Sequence, residues 1–266
     1  MIQNLERKFQ LIGAKVIFVE ALDTRWQTAP VRLNIIKKRG KEHFQISVRK
    51  DLKRGLDLSV LEVKSEDRHL VLLARHVDSN GIVSKDHFLC GHDERHLFVA
   101  SVDGVSTVNA AKDSLKPDQI RANEIGRNNR KRNRRKTSWF KRQGEWFFIP
   151  TQFDPATVGG FITRDEKLSR GGGKNHVVQL ACRYGGETVM VTSKYPNGLT
   201  SKEYQKLIHS NPSARKYHWQ TRQRNAAVYV KGRISHPDHA TIVLDSWHRV
   251  MMNTEKRRSD VVAFLD

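Results

Sequence analysis

Cysteine is scarce in this 266-residue chain, which has only Cys90 and Cys182. Two cysteines build no recognisable disulfide framework, so a reducing intracellular compartment is expected, cytoplasmic, or nuclear in a eukaryote. Long apolar runs are missing too. The longest, residues 16–19 and 70–74, fall far short of a membrane span, and no membrane partner is expected. The opening MIQNLERKFQLIG carries charge within its apolar pattern and lacks the uninterrupted core of a signal peptide. Acidic residues form the third deficit. Against 28 Asp or Glu stand 48 Lys or Arg, giving a formal net charge of +20 and a pI near 10.2. Such a surplus argues for a polyanionic partner and says nothing about fold.

What is present suffices for a folded protein. Hydrophobic residues make up 38% of the chain, too many for wholesale disorder. The length fits one large domain or two of ordinary size.

The positive charge is concentrated. Residues 127–142 read RNNRKRNRRKTSWFKR, with nine Lys or Arg in sixteen positions and no Asp or Glu. Arg127, Arg130, Lys131, Arg132, Arg134, Arg135, Lys136, Lys141 and Arg142 offer charges to phosphate, and the arginines add planar forks for guanine edges. Asn133 can read a base edge and Trp139 can stack on an unpaired base. The order Arg130-Lys131-Arg132-Asn133-Arg134-Arg135, with an aromatic shortly after, resembles the arginine-rich peptides by which viral and phage proteins bind structured RNA. That resemblance implies a ligand class. A solvated linker, or an address read by a transport receptor, has a similar composition. Removing the run still leaves +11 on the other 250 residues, and a linker needs neither Trp139 nor Phe140.

Periodicity gives the expected architecture. Ile2, Leu5, Phe9 and Ile12 have helical spacing before Gly13. Alternating or continuous apolar stretches at 14–20, 31–35, 44–48, 58–63, 70–77, 82–90 and 97–102 predict strands, with a hairpin at Gly40 and a turn at 78–81. Ser106 caps a helix bearing Val108, Ala111 and Leu115, ending at Pro117. Further strands are expected at 145–150, 177–182 and 188–191, a helix at 202–209, and a hairpin of 226–234 with 240–244. The segment 261–265 is either an edge strand or loose. The fold class is therefore mostly β within α+β: two antiparallel β-rich domains, each a sandwich or small barrel, with a few short helices. The domains are 1–117 and 144–266, joined by a basic linker or binding segment at 118–143.

Four further clusters bear on function. Arg215, Lys216, Trp219, Arg222 and Arg224 interleave charge with aromatic rings, a composition suited to single strands. The glycine-rich loop 169–176 fails the Walker pattern, but Arg170 and Lys174 flank backbone able to meet phosphate. The His87, Cys90, His92, His96 group lacks conventional zinc spacing, and Cys90 reads as a small buried apolar residue. No metal and no cofactor are expected. Finally, His236, Asp238 and His239, with His248 nearby, could supply a general base and its orienting carboxylate. Pro237-Asp238 is equally an ordinary turn pair.

The resulting expectation is a nucleic-acid-binding protein, RNA ahead of DNA, within a ribonucleoprotein or nucleic-acid-processing complex that includes other protein subunits. No helix-turn-helix, zinc finger or basic zipper can be assembled to favour duplex DNA. The alternative is a nuclease or nucleic-acid-modifying enzyme working through the 236–248 histidines.

Overall fold

The computed structural model describes residues 2–21, 30–49, 55–78, 80–169 and 174–255. These fall into two compact units, 2–134 with 253–255, and 135–252. The division lies between Arg134 and Arg135, inside the stretch expected to join two halves.

In the first unit, α1 (Ile2–Leu11) buries Leu5 and Phe9 on one stripe, and Gly13 at φ 72° follows it as a left-handed stop. β1 (Val16–Ala21), β2 (Val31–Lys38) and β3 (Lys41–Arg49) form a sheet in the order β1-β3-β2. The β2–β3 turn has two residues, Arg39 and Gly40, both at positive φ, which matches the twist of the flanking strands. β1 fills the free edge of β3 in parallel, with Val16 opposite Phe44. It is a parallel pair in a set expected to be antiparallel throughout.

β4 (Leu56–Lys64), β5 (His69–Val77), β6 (Val83–Asp93) and β7 (His96–Val102) form an antiparallel meander. At the β5–β6 turn Asp78 Oδ1 accepts from the N–H groups of Asn80 and Ile82 at 2.9 and 2.8 Å, while Ser79 lies outside the described residues. Both faces of this sheet are covered. Leu70, Leu72, Ala74 and Cys90 belong to one core with Phe9, Phe44 and Ile46. Val71, Leu89 and Ala100 meet Val108, Ala111 and Leu115 on and beside α2 (Val108–Ser114). Double coverage explains why β5 reads as a nearly unbroken apolar run.

The cap of α2 is Thr107, one residue after the expected Ser106; its hydroxyl accepts from Ala110 N–H. Pro117 does more than stop a helix, because α3 (Asp118–Asn123) starts directly after it, followed by α4 (Asn129–Arg132). Polar sequence folds here around buried ions. Lys116 Nζ donates to Glu124 Oε2 at 2.7 Å, Asp113 Oδ1 at 2.8 Å and the Arg132 carbonyl at 2.9 Å. Arg132 reaches Asp113 at 2.7 Å and Glu124 at 3.6 Å. Lys116 and Glu124 are only 4% and 0% exposed. Within the segment 118–143, which the sequence assigns to a basic linker or binding segment, α3, α4 and this network give defined structure.

The second unit contains β8 (Lys141–Gln143), β9 (Trp146–Pro150), β10 (Ile162–Leu168), β11 (His176–Tyr184), β12 (Glu187–Thr192), β13 (Tyr195–Thr200), α5 (Ser201–Ser210), β14 (Gln220–Arg224), β15 (Ala227–His236) and β16 (His239–Met252). Six strands form an antiparallel sheet in the order β10-β11-β15-β16-β9-β8, and β13-β12-β14 form a smaller one. Neither unit contains a closed barrel among the described residues. Trp146, Phe148, Val178, Val230, Ile234 and Leu244 lie at the centre of the larger core. Thr200 and Glu203 close a reciprocal capping box on α5. Among the described residues no helix is long and apolar enough to cross a membrane. The segment 261–265 lies outside the described residues.

Removing one partner of a buried ion network strands the other charges. Lys116→Ala should therefore destabilise the first unit by about 3–5 kcal/mol in urea unfolding. Arg121→Ala, which removes an exposed pair with Asp118, should change stability by less than about 0.5 kcal/mol. Equal effects would show that the network contributes nothing special.

Candidate functional site

β11 begins at His176, β15 ends at His236 and β16 begins at His239, on three neighbouring strands. The register sets Val177 opposite Ser235 and His236 opposite His239, so the three imidazoles meet at one place. Only Pro237 and Asp238 separate the last two. One ring nitrogen from each histidine lies within 4.8 Å of the other two. The ring centroids are 4.2 Å apart for His176–His236, 4.6 Å for His236–His239 and 5.7 Å for His176–His239. Trp146 approaches His176 edge-on at 6.3 Å.

The β8–β9 turn lies against this group. Gln143 is buried, and its Nε2 donates to the Ala240 carbonyl at 2.6 Å. Gly144 has φ 57°, and a Cβ there would sit 3.0 Å from His239 Nε2 and 3.6 Å from His176 Nε2. Backbone conformation and close approach both favour glycine.

His176 is 1% exposed, and among the described residues neither of its ring nitrogens has a hydrogen-bond partner. Each orphaned polar atom costs about 1–3 kcal/mol. Burial first, then His236 and His239, push its pKa down to about 3, so the ring is neutral at physiological pH. His236 Nδ1 accepts the Asp238 N–H at 3.1 Å, and its Nε2 faces the Lys174 carbonyl at 3.3 Å. Lys174 Nζ pairs with Asp238 Oδ1 at 2.6 Å. Three imidazoles at this separation are a donor set for a transition-metal ion.

Of the alternative catalytic set, the structure brings together His236, Asp238 and His239 but not His248. His248 is buried along β16 opposite Val230, with Nδ1 against the Ser246 carbonyl at 2.8 Å. His176 was not among the expected site residues, since it was read as the end of a phosphate-meeting loop. Its one sequence signal is a histidine placed directly before the apolar run VVQLAC. The 87–96 group disperses: Cys90 is buried in the core with its thiol pushed up by burial, His92 meets Arg68 at 3.0 Å, and His96 meets Glu42 at 2.7 Å.

The basic residues have varied fates. Arg127 Nε donates to the Asn123 carbonyl, Arg132 joins the buried network, and Asn133 donates to Asn109 Oδ1 at 3.1 Å. Lys131 and Arg134 are exposed, whereas the Arg130 side chain and Arg170 lie outside what is described. In the second unit, Arg135 accepts the Arg142 N–H through its carbonyl, and Lys136 is exposed opposite Lys141. Lys141 Nζ donates to the Val243 carbonyl at 2.6 Å, and Arg142 lies over Phe147 at 5.8 Å. Trp139 is half-buried with its edge toward Phe140, itself buried on Phe147. Lys174 is tied to Asp238, and Arg224 to Glu187 at 2.6 Å. Arg215, Lys216 and Arg222 are exposed. Trp219 stacks on Tyr195, meets Tyr204 edge-on, and donates Nε1–H to the Ala214 carbonyl at 2.9 Å. It is an anchor of its loop.

No known family, curated protein or solved structure matches the chain. The site's chemistry rests on its own geometry.

The buried His176 makes stability pH-dependent. The folded state keeps this ring neutral, whereas in the unfolded chain it takes a proton near pH 6.5, so acid favours unfolding. In chelator, the stability of the second unit should be full above about pH 6.5 and fall by up to about 1.4 kcal/mol per pH unit below it. His248, also held below its usual range chiefly by burial, acts in the same direction. Urea titrations across this range should show a shallower pH slope for His176→Phe than for the parent.

Proposed function

We propose that the protein binds nucleic acid through its second unit, with RNA preferred over duplex DNA. The observation that carries this reading is an open cleft of about 560 Å³ beside β14, lined by Arg183, Gln220, Thr221, Arg222 and Gln223 with Gly185 and Ala226. No carboxylate is among the described residues that line it, although Arg183 pairs with Glu166 at 2.5 Å. β14 is the outer strand of its sheet and presents Gln220 to Gln223 exposed. Arginine supplies bidentate forks, and the amides supply both donors and acceptors, the groups that base edges require. Between residues 135 and 252 nineteen Lys or Arg stand against eight Asp or Glu, so this unit alone carries +11. Exposed Arg215 and Lys216 add charges for phosphate. A cleft with amide and guanidinium walls suits unstacked bases better than a regular duplex groove. A cytoplasmic or nuclear ribonucleoprotein, with further protein subunits, is the setting this chemistry fits.

A second reading, phosphodiester cleavage, is favoured by one observation, the convergence of His236 and His239 beside Asp238. It separates from simple binding by its product: radiolabelled RNA should stay intact under the first reading and be shortened under the second.

Fluorescence anisotropy with single-stranded RNA, an RNA hairpin and duplex DNA tests the proposal. Log affinity should fall linearly with log salt, with a slope of roughly −3 to −4 for about five phosphate contacts on a single strand. A flat titration would remove the electrostatic basis. Arg222→Ala should weaken RNA binding by about 1–3 kcal/mol if its fork meets a base edge, and Arg222→Lys should keep nonspecific attraction while losing preference among sequences. Unchanged binding by Arg222→Ala would move the interface away from this cleft.

A further inference from the structure

We infer that His176, His236 and His239 form a binding site for one divalent transition-metal ion of the zinc class. The argument starts from burial. His176 is enclosed, and among the described residues both of its ring nitrogens lack a hydrogen-bond partner. A histidine kept merely for packing would be replaced at no loss by an apolar ring, and its nitrogens would not need to face two more imidazoles. An ion gives the enclosed nitrogen a partner that no side chain among the described residues supplies.

Geometry agrees. Zinc–nitrogen bonds of about 2.0–2.1 Å in a tetrahedron place ligand atoms about 3.3 Å apart. The three nitrogens lie within 4.8 Å, so modest ring rotations close the distance. All three histidines stand at strand ends of one hydrogen-bonded sheet, which fixes their backbones. The contact of His236 Nε2 with the Lys174 carbonyl is the kind of second interaction that orients a ligating imidazole, leaving Nδ1 for the ion in place of the Asp238 N–H. Gly144 leaves the room between His176 and His239 that any side chain would fill.

The donor set also selects. Imidazole nitrogens favour zinc, cobalt, nickel and copper over magnesium and calcium, which require oxygen. Three protein ligands leave a fourth position for water or an anionic oxygen. His236 and His239 are half-buried, so that position can reach solvent. Lys174 would oppose a cation, but its charge is met by Asp238 at 2.6 Å.

The full chain should be stripped with chelator, moved to chelator-free buffer, given Zn²⁺ beside excess Mg²⁺, dialysed, and analysed for metal. The expected result is about one zinc per chain, undisplaced by magnesium, with Co²⁺ giving the visible absorption of a tetrahedral nitrogen site. His176→Gln, His236→Gln and His239→Gln should each weaken zinc at least about tenfold, while His248→Gln and His92→Gln should not. Circular dichroism checks folding. Should His176→Gln unfold, His239→Gln at the half-buried strand end carries the test. Zinc well below stoichiometry in the parent, or equal zinc in folded His239→Gln, would overturn the site.

Discussion

The alignment of β11, β15 and β16 places the histidine cluster of the second unit. Val178, Val230, Ile234, Ile242 and Leu244 are buried on one side of these strands, so a slip of one residue would turn that side to water. Two irregularities pin the alignment further. Gly232, at φ 89°, sits where a Cβ would come within 2.4 Å of Gln179 Oε1, and that oxygen accepts the Arg233 N–H at 2.9 Å. A second shift in register falls between Ile234 and His236. Bulges of this kind re-aim the residues that follow them. Here the residues that follow are His236 and, across the turn, His239. Apolar burial thus places the polar cluster, although none of its members contributes to the apolar pattern.

The first unit solves a different problem. Its meander is covered on both faces by side chains that need no guidance beyond hydrophobicity, but among the described residues of 116–132 only Pro117 and Ile120 are buried apolar side chains. Lys116 and Glu124 are buried there together, joined by Asp113 and Arg132. Burying such ions is tolerable only when every charge meets opposite charge or carbonyl oxygen. The network therefore gives specificity to a segment that hydrophobic packing leaves undetermined, and it engages an arginine of the basic run.

These two solutions explain what the sequence discloses. The strands of the meander and the β2–β3 hairpin follow from alternation, apolar runs and Gly40, because burial against two layers writes itself into residue type. α3 and α4 do not, since one buried apolar side chain, Ile120, writes no helical period and the ion pairs beside them join polar residues that also suit a solvated linker. β16 runs on to Met252, beyond the expected end at Leu244, because Asp245 and Ser246 occupy exposed positions of a strand that has a new partner, β9. The histidine group was half legible. His236 and His239 are near in sequence, whereas His176 joins them through a strand pairing that no spacing rule can express.

The fate of the arginines and lysines separates two effects that net charge combines. A hydrogen bond to a carbonyl orients a cation without cancelling it, so Lys141 against Val243 still contributes its full charge to the surrounding field. Only an ion pair cancels, as for Lys174 with Asp238 or Arg224 with Glu187. With eight carboxylates available to nineteen cations in the second unit, most of the positive charge must remain whatever the fold. Long-range attraction to a polyanion is thus a property of composition, and it survives the burial of individual side chains. Recognition at contact distance is not. It depends on which cations reach solvent, and the fold leaves Arg215, Lys216 and Arg222 exposed while Arg142 lies over Phe147 and Arg224 pairs with Glu187. A divalent ion held by the three imidazoles would add positive charge to this unit. Metal and polyanion would then reinforce one another, because each lowers the electrostatic cost of the other in a unit already rich in positive charge.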